Sequence, residues 1–357
     1  MTGSPEEAFG SILKAARQYD ASDIHLIAGL PPAVRIGGEI TIASNRDPLS
    51  REAIVGIVDA ILNPHQKERL ERERELCVSY FHEDWGRIRL SLYHRISSPE
   101  MAIRLCNLEV KSAEELMLPA VINEFAERTS GLIIITGPTG MGKTTTLNYI
   151  VDLINATRRG KIITIEDPVE FEHQHRKSIV TQIEVGTDTN DFLHCLRHVL
   201  RLDPDVIGVG EMRDLETIET TLTAAETGHL VVATLHTPGA TSTVERIVGS
   251  YEGSRQKQVT VQLASTLIAV IAQRLIPSVD KSNRVLATEI MVANDAVRNI
   301  IREQKVHQLH NVIMSGRSAG MHSMEDSIAG LYDRGMITLD MALANCNHPD
   351  HLRSLLK

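Results

Sequence analysis

Hydrophobic and polar residues follow two different periods along this chain, and the change between them divides it. In the first part, one helical face (Phe9, Ile12, Leu13 and Ala16) is followed by segments that alternate like strands. We predict strands over Ala21–Leu26 and Met101–Cys106, and hairpins over Ala33–Ile42 and Cys77–Ile96. This pattern predicts a small mixed α+β domain over residues 1–107.

From Leu118 onward, short apolar runs alternate with helical patterns. The predicted strands are Leu132–Thr136, Lys161–Ile165, Val206–Val209, Leu230–Leu235 and Val285–Ile290. The predicted helices are Thr144–Ala156, Asp191–Leu202, Asp214–Glu226 and Ser242–Val248. Such alternation is typical of an α/β domain with a largely parallel sheet covered on both faces. We therefore assign residues 118–357 to a second domain and residues 108–117 to a linker.

A phosphate-binding loop follows the first strand of the second domain. The sequence GPTGMGKTT fits the pattern of Gly, four residues and Gly-Lys-Thr, and helical spacing follows it. The nucleotide-binding residues expected here are Gly137, Pro138, Thr139, Gly140, Met141, Gly142, Lys143, Thr144 and Thr145. Lys143 is expected to reach the phosphates of ATP, and the Thr144 hydroxyl is expected to bind Mg²⁺. The alternative is an ordinary glycine-rich turn.

Acidic and histidine side chains lie where other strands end, which is where ligands bind in such sheets. Glu166 and Asp167 end one strand with Glu170 just beyond, Glu211 follows another, and His229 and His236 flank a third. Hydrolysis of ATP needs a group that orients water. We assign that role to Glu211, helped by Glu166 through the Mg²⁺ ion, and expect His236 to sense the γ-phosphate.

Arginines from a neighbouring subunit often complete sites of this kind. The candidates are Arg87, Arg89, Arg95 and Arg104 in the first domain, and Arg197 and Arg201 in the second. For each one taken singly, the alternative is a surface ion pair.

Composition restricts the class of protein. The net charge of −9 does not favour nucleic-acid binding, and the four cysteines contain no CxxC pair. Reduced thiols in a cytoplasmic protein are the expectation. The N-terminal residues do not resemble a signal peptide, and no apolar run approaches the ~20 residues that a membrane span requires. We expect contact with the inner membrane only through a partner.

Several motifs together resemble the ATPases of type IV pili and type II secretion. The segments are ASDIHLIAGLPPAVRI, GPTGMGKTTT, ITIEDPVEF, the stretch from LRLDPDVIGVGEMRD to VVATLHT, and AVRNIIRE. Within that superfamily the chain is most similar to the retraction ATPases, the PilT group. The resemblance spans roughly residues 8–350. The segment AVRNIIRE resembles a marker of retraction ATPases, and the four-cysteine zinc insert typical of assembly and type II ATPases is missing.

The resemblance implies a PAS-like N-terminal domain joined flexibly to a RecA-like ATPase domain, in a cytoplasmic homohexamer. Glu166, Asp167 and Glu170 fall in the family's Asp box, Glu211 is its Walker B glutamate, and His229 and His236 fall in its His box. Arg89 resembles an arginine that reaches the nucleotide of the next subunit. Ser97 stands where a second such arginine is expected, and Arg95 is a candidate substitute.

These observations predict a hexameric motor that couples ATP hydrolysis to type IV pilus retraction through an inner-membrane platform protein. The main alternative is an ATPase that energises type II or type IVB secretion. A nucleic-acid motor and a module that holds ATP without cleaving it are further alternatives. The charge disfavours the first of these, and the presence of both Glu166 and Glu211 disfavours the second.

Overall fold

The structure, a computed structural model, describes residues 4–43, 46–96, 98–106, 109–280 and 283–356. The chain divides into two compact units. The first consists of Met1–Glu109 with Pro168–Glu172, and the second of Val110–Asp167 with His173–Lys357.

The first unit is built on a six-stranded antiparallel sheet with the order β3-β2-β1-β6-β5-β4. Its elements are α1 (Pro5–Gln18), β1 (Asp23–Leu26), β2 (Ala33–Ile36), β3 (Glu39–Ile42), α2 (Arg51–Ile61), α3 (Pro64–Glu73), β4 (Glu75–His82), β5 (Gly86–Arg95) and β6 (Ser98–Leu105).

Local sequence signals explain the boundaries of these elements. Ser4 and Glu7 form a capping box that begins α1, whose apolar face includes Phe9 and Leu13. Gly37 and Gly38 have φ of 57° and 91°, so they supply the left-handed turn between β2 and β3. The prediction of a hairpin over Ala33–Ile42 is confirmed.

The second unit is built on a seven-stranded sheet with the order β13-β12-β7-β11-β10-β8-β9. Its strands are β7 (Gly131–Thr136), β8 (Lys161–Glu166), β9 (Ile179–Glu184), β10 (Val206–Val209), β11 (Leu230–Leu235), β12 (Leu267–Pro277) and β13 (Arg284–Val292). Its helices are α4 (Val121–Ala126), α5 (Lys143–Thr157), α6 (Phe192–Val199), α7 (Leu215–Glu226), α8 (Ala240–Gly249), α9 (Gly253–Thr266), α10 (Asp295–Arg302), α11 (Leu309–Ser315), α12 (Met324–Asp333), α13 (Leu339–Asn345) and α14 (Pro349–Leu355).

Neighbouring strands of this sheet are parallel, except for β12 and β13, so the predicted parallel sheet is confirmed. One face packs on α4 and α5, and the other packs on α6 to α11. The carboxyl ends of β7, β8, β10 and β11 therefore meet at one edge of the sheet, which is where a ligand is expected.

The sequence patterns did not predict β9 and β12. Strand β12 follows helix α9 with no turn residue between them, because Thr266 ends the helix and Leu267 begins the strand. Strand β9 lies at the edge of the sheet and carries polar residues, so its alternation is weak. Periodicity alone does not separate such segments from helices or loops.

In the parts of the chain that the structure describes, none of the helices is both long and apolar enough to cross a membrane.

Candidate functional site

The phosphate-binding loop connects the end of β7 to the start of α5. Gly137, Gly140 and Gly142 have φ of 145°, 78° and 80°, a region that side chains rarely adopt. A Cβ atom on Gly137 would lie 2.4 Å from the carbonyl oxygen of Gln273 in β12, so only glycine fits there. The loop ends at the N-terminus of a 15-residue helix, whose unpaired N–H groups favour phosphate oxygens. These features fit a nucleotide phosphate.

Strands β12 and β13 hold the outer part of this loop. The backbone N–H of Leu275 donates to the Met141 sulfur at 3.2 Å, and Arg284 donates to the Gly140 carbonyl at 3.0 Å. The side-chain amide of Gln273 donates to the Thr146 hydroxyl at 2.7 Å. Gln273, Leu275 and Arg284 were not among the sequence candidates, because they lie 127 to 144 positions from their partners and only the sheet order brings them near the loop.

Lys143 folds back over the loop. Its ammonium group donates to the carbonyl oxygens of Gly137 at 2.7 Å and Pro138 at 3.0 Å. Burial lowers the pKa of Lys143, while the nearby carboxylate of Glu211 acts in the opposite direction. The next residue, Thr144, is half-buried in the first turn of α5.

The backbone contacts of Gly210, the preceding residue, set the position of Glu211. Strand β10 lies beside β8, and the N–H of Gly210 extends the ladder by donating to the Ile165 carbonyl at 2.9 Å. The N–H of Met212 then donates to the Thr234 carbonyl at 3.0 Å, and the Met212 side chain is buried in the core. Because side chains alternate along an extended backbone, Glu211 points away from that core.

His236 joins Glu211 to the phosphate-binding loop. Its Nε2 lies 3.0 Å from Glu211 Oε1, and its Nδ1 lies 3.3 Å from the Lys143 ammonium and 3.4 Å from the Thr139 hydroxyl. Since an ammonium group only donates, Nδ1 accepts, and the proton of a neutral imidazole is on Nε2 facing the carboxylate. The structure thus brings together three sequence candidates, Lys143, His236 and Glu211.

Arg213, which was not among the sequence candidates, contacts the second carboxylate oxygen of Glu211. Its Nε donates to Glu211 Oε2 at 3.0 Å, and its Nη1 donates to Asp167 Oδ2 at 3.1 Å. Asp167 directly follows β8, so the arginine spans the ends of two adjacent strands. The signal that could have found it is the spacing Glu-Met-Arg, which puts both charged side chains on one face of an extended segment.

Glu166 is the last residue of β8 and is only 3% exposed. Its Oε1 accepts hydrogen bonds from the Thr164 hydroxyl at 2.7 Å and from the Gln182 amide in β9 at 2.9 Å. Among the residues described, no group of three or more His, Cys, Asp and Glu side chains is arranged to hold a metal ion.

His229 and His236 lie at opposite ends of β11, separated by the six residues of the strand, which span about 20 Å. His229 Nδ1 lies 2.9 Å from the Ala224 carbonyl and 3.2 Å from the Thr227 hydroxyl, at the C-terminus of α7. The structure therefore does not bring these two histidines together.

The candidate arginines of the first unit all have acidic neighbours within that unit. Arg89 lies 3.6 Å from Glu170 and Arg87 lies 3.0 Å from Glu172. Arg104 and Arg95 pair with Asp23 at 3.0 Å and Glu100 at 2.5 Å. Ser97 lies outside the described residues.

In the second unit, Arg197 on α6 pairs with Glu216 on α7 at 2.9 Å. Arg201 is exposed just beyond α6. The Arg197–Glu216 pair does not include Lys143, His236 or Glu211.

Known proteins are similar to this chain in sequence and in fold. The family model for "Type II/IV secretion system protein" matches residues 90–347. A "Twitching motility protein" of Neisseria gonorrhoeae is 40% identical over 93% of this chain and 88% of its own length. The "Type IV pilus retractation ATPase PilT" of Pseudomonas aeruginosa is 39% identical over 95% of this chain and 98% of its own length.

A crystal structure of "the Pilus Retraction Motor PilT and Bound ADP" has a TM-score of 0.90 to this structure, at 41% identity. It covers 97% of this chain, and the match covers 98% of the PilT chain. This likeness confirms the expected fold class, a RecA-like ATPase domain with a smaller N-terminal PAS-like domain. The resemblance noted from the sequence motifs is also confirmed.

Proposed function

The chain belongs to the type II/IV secretion system protein family, and we propose that it is a motor ATPase that couples ATP hydrolysis to type IV pilus retraction. Two relatives of about 40% identity over nearly the whole chain carry names that refer to twitching motility and pilus retraction. The main structural support for ATP hydrolysis is that His236 contacts both Lys143 and Glu211.

ATP is the expected substrate of the phosphate-binding loop. Its amide groups and the start of α5 favour phosphate oxygens, and Lys143 can exchange the carbonyls of Gly137 and Pro138 for phosphate. Thr144 and Glu166 are the proposed ligands of Mg²⁺, an ion that would neutralise phosphate charge during transfer. Pro138, Thr139, Met141 and Thr145 contribute loop backbone and hydroxyl groups.

Glu211 is the proposed group that orients and deprotonates the attacking water. Its carboxylate is only part-buried, and the imidazole of His236 lies between it and Lys143, the proposed phosphate-binding lysine. Movement of Lys143 towards a phosphate would change the hydrogen bond at His236 Nδ1. In this way His236 would report the presence of the γ-phosphate to Glu211.

We further propose a cytoplasmic homohexamer in which Arg89 and Arg104 of one subunit approach the nucleotide of the next. The division into residues 1–107, a linker over 108–117 and residues 118–357 allows the rigid-body movement that such a motor needs. An inner-membrane platform protein is the proposed receiver of that movement, with no direct role for nucleic acid. Asp167, Glu170, His229, Arg197 and Arg201 are proposed as supporting motif residues.

The first test is the ATPase rate per subunit as a function of protein concentration, for wild type mixed with Arg89→Ala in varying ratio. Shared sites predict a rate that rises cooperatively with concentration and a variant that inhibits the mixture beyond simple dilution. Arg72→Ala, an exposed arginine on α3, is the control and should only dilute. A flat specific rate with additive mixing contradicts the hexamer with shared sites.

The cellular role needs a separate test. A strain lacking the gene should make pili that extend but do not retract, and it should lose twitching motility. Because the family also includes type II secretion proteins, the secretion alternative predicts normal twitching and a loss of exported protein instead.

A further inference from the structure

We propose that Arg213 is a positioning residue that holds the Glu211 carboxylate in its working orientation by bracing it against Asp167. This inference rests on the proposed ATPase function and adds a residue to its machinery. The observation behind it is one guanidinium group that donates to two carboxylates from adjacent strand ends.

The backbone fixes where Arg213 can point. Residues 210–212 continue β10 between two neighbours: the Gly210 N–H donates to Ile165 beside β8, and the Met212 N–H donates to Thr234 in β11. The Thr234 hydroxyl also donates to the Gly210 carbonyl. With Met212 buried in the core, Glu211 and Arg213 share the opposite face, and the α7 cap at Asp214 ends the segment.

The two oxygens of Glu211 have different donors. Oε1 faces His236 Nε2 at 3.0 Å, and Oε2 accepts from Arg213 Nε at 3.0 Å. A carboxylate held from both sides cannot rotate freely about its terminal bond. A general base works only when its oxygen meets the water at hydrogen-bond distance, so this restraint bears directly on the rate.

Only arginine can make this brace. Its Nε reaches Glu211 while its Nη1 reaches Asp167 at 3.1 Å, which uses two donors with a fixed angle between them. A lysine at the same position offers one ammonium group, and that group cannot reproduce the fork. We therefore expect Arg213→Lys to keep the positive charge beside Glu211 but not to hold the Glu211 carboxylate in its orientation.

We expect the contacts of Arg213 with Glu211 and Asp167 to contribute little to the stability of the fold. The Arg213 side chain is 60% exposed, and exposed ion pairs contribute little to the stability of folded proteins. Its removal should therefore leave folding and nucleotide binding intact while it slows the chemical step. That separation of effects distinguishes a positioning role from a structural one.

The experiment measures kcat, KM for ATP, the Kd of a fluorescent ATP analogue and Tm. It compares wild type with Arg213→Ala, Arg213→Lys and Asp167→Asn, and with the double variant that combines Asp167→Asn and Arg213→Ala. The control is Arg255→Ala, because Arg255 is similarly exposed (69%) and pairs with one carboxylate, Glu219, at 2.7 Å. All rates are taken at protein concentrations where the specific activity is constant.

We expect Arg213→Ala to lower kcat by about 10- to 100-fold, with KM, Kd and Tm close to those of wild type. Arg213→Lys should recover only a small part of the rate. Asp167→Asn should have a smaller effect, and the double variant should be no slower than Arg213→Ala, because both changes remove the same brace.

Three results with the Arg213 variants would overturn the inference. These are an unchanged kcat in Arg213→Ala, full rescue by lysine, or a higher KM with unchanged kcat, which would make Arg213 a nucleotide-binding group. An equal loss in Arg255→Ala would also overturn it, since it would trace the effect to surface charge. A wild-type protein without ATPase activity is a different result, because the proposed function itself then fails and the inference fails with it.

Discussion

Gly210 lies so close to Ile165 that a Cβ atom on this glycine would come within 2.8 Å of the Ile165 carbonyl oxygen. The same carbonyl accepts the Gly210 N–H at 2.9 Å. This approach keeps the ends of β8 and β10 side by side, so it places Asp167 beside the segment that carries Glu211 and Arg213. The glycine before the acidic residue is therefore a geometric requirement of the site.

Gly210→Ala should push the two strand ends apart. We expect the free energy of unfolding to fall by about 1–3 kcal/mol, as for other overpacked positions, and the ATPase rate to fall with it. Urea denaturation followed by circular dichroism measures the first, and a coupled phosphate assay measures the second. The control is Gly330→Ala in α12, where an added Cβ meets no heavy atom within 4 Å. Equal stability of the two variants would contradict the close-approach argument.

Glu211→Gln should bind ATP and hardly hydrolyse it. The amide keeps the size of the side chain but cannot accept a proton from water, so we expect kcat to fall by about 100-fold or more with little change in analogue affinity. Steady-state kinetics and fluorescence titration provide the two measurements. Glu245→Gln, an exposed glutamate on α8, should behave as wild type. Near-normal turnover of Glu211→Gln would remove Glu211 from the mechanism.

Arg298, within the AVRNIIRE segment, caps the end of helix α9. Its guanidinium donates to the carbonyl oxygens of Ala264, Ser265 and Leu267 at 2.5, 2.7 and 2.8 Å. These carbonyls lie at the end of α9 and the start of β12, where backbone groups lack helical partners. The segment thus has a clear structural role beside any role in retraction.

Arg298→Ala should leave those carbonyls without their charged donor and lower the free energy of unfolding by about 2 kcal/mol. Arg298→Lys should recover only part of the loss, because one ammonium group replaces a planar fork. Arg302→Ala, an exposed arginine one turn later, serves as the control and should stay within about 0.5 kcal/mol of wild type. A larger loss for Arg302→Ala than for Arg298→Ala would exclude the capping role.

Stability should decline below pH 6.5 in part because of His322. Burial lowers the pKa of His322 below its ordinary value of 6.5, although Asp326 acts in the opposite direction. Its Nε2 lies 2.8 Å from the Thr288 hydroxyl in β13. Below pH 6.5 the unfolded chain therefore takes up a proton that the folded protein resists, so this contribution is present above pH 6.5 and lost as the pH falls.

The test compares Tm between pH 5 and 8 for wild type and His322→Gln. The variant should show a shallower decline of Tm at acid pH, because the proton uptake of the unfolded chain is removed. His307→Gln, an exposed histidine, should retain the wild-type slope. If Tm of His322→Gln falls at acid pH as steeply as Tm of wild type, other groups cause the loss of stability at acid pH.

Features that depend on neighbours in sequence were determined by the sequence itself. The phosphate-binding loop is contiguous, so its glycines, Lys143 and Thr144 could be placed between a strand and a helix from the pattern alone. The hairpin at Gly37 and the parallel α/β alternation follow in the same way from turn chemistry and periodicity. The strand ends also pointed to Glu166, Glu211 and His236 as polar groups at one edge of the sheet.

The tertiary structure alone decided which of these polar groups meet. Strand order and register put Val209 beside Ile165, and that register lets Arg213 reach Asp167 from a position 46 residues away. The same sheet sends His229 and His236 to opposite ends of β11, although both belong to one motif. It also brings Gln273 of β12, a strand that no local pattern marked, against Gly137. Local sequence sets the period of each element, but contacts between distant segments depend on sheet pairing, which no short stretch of sequence contains.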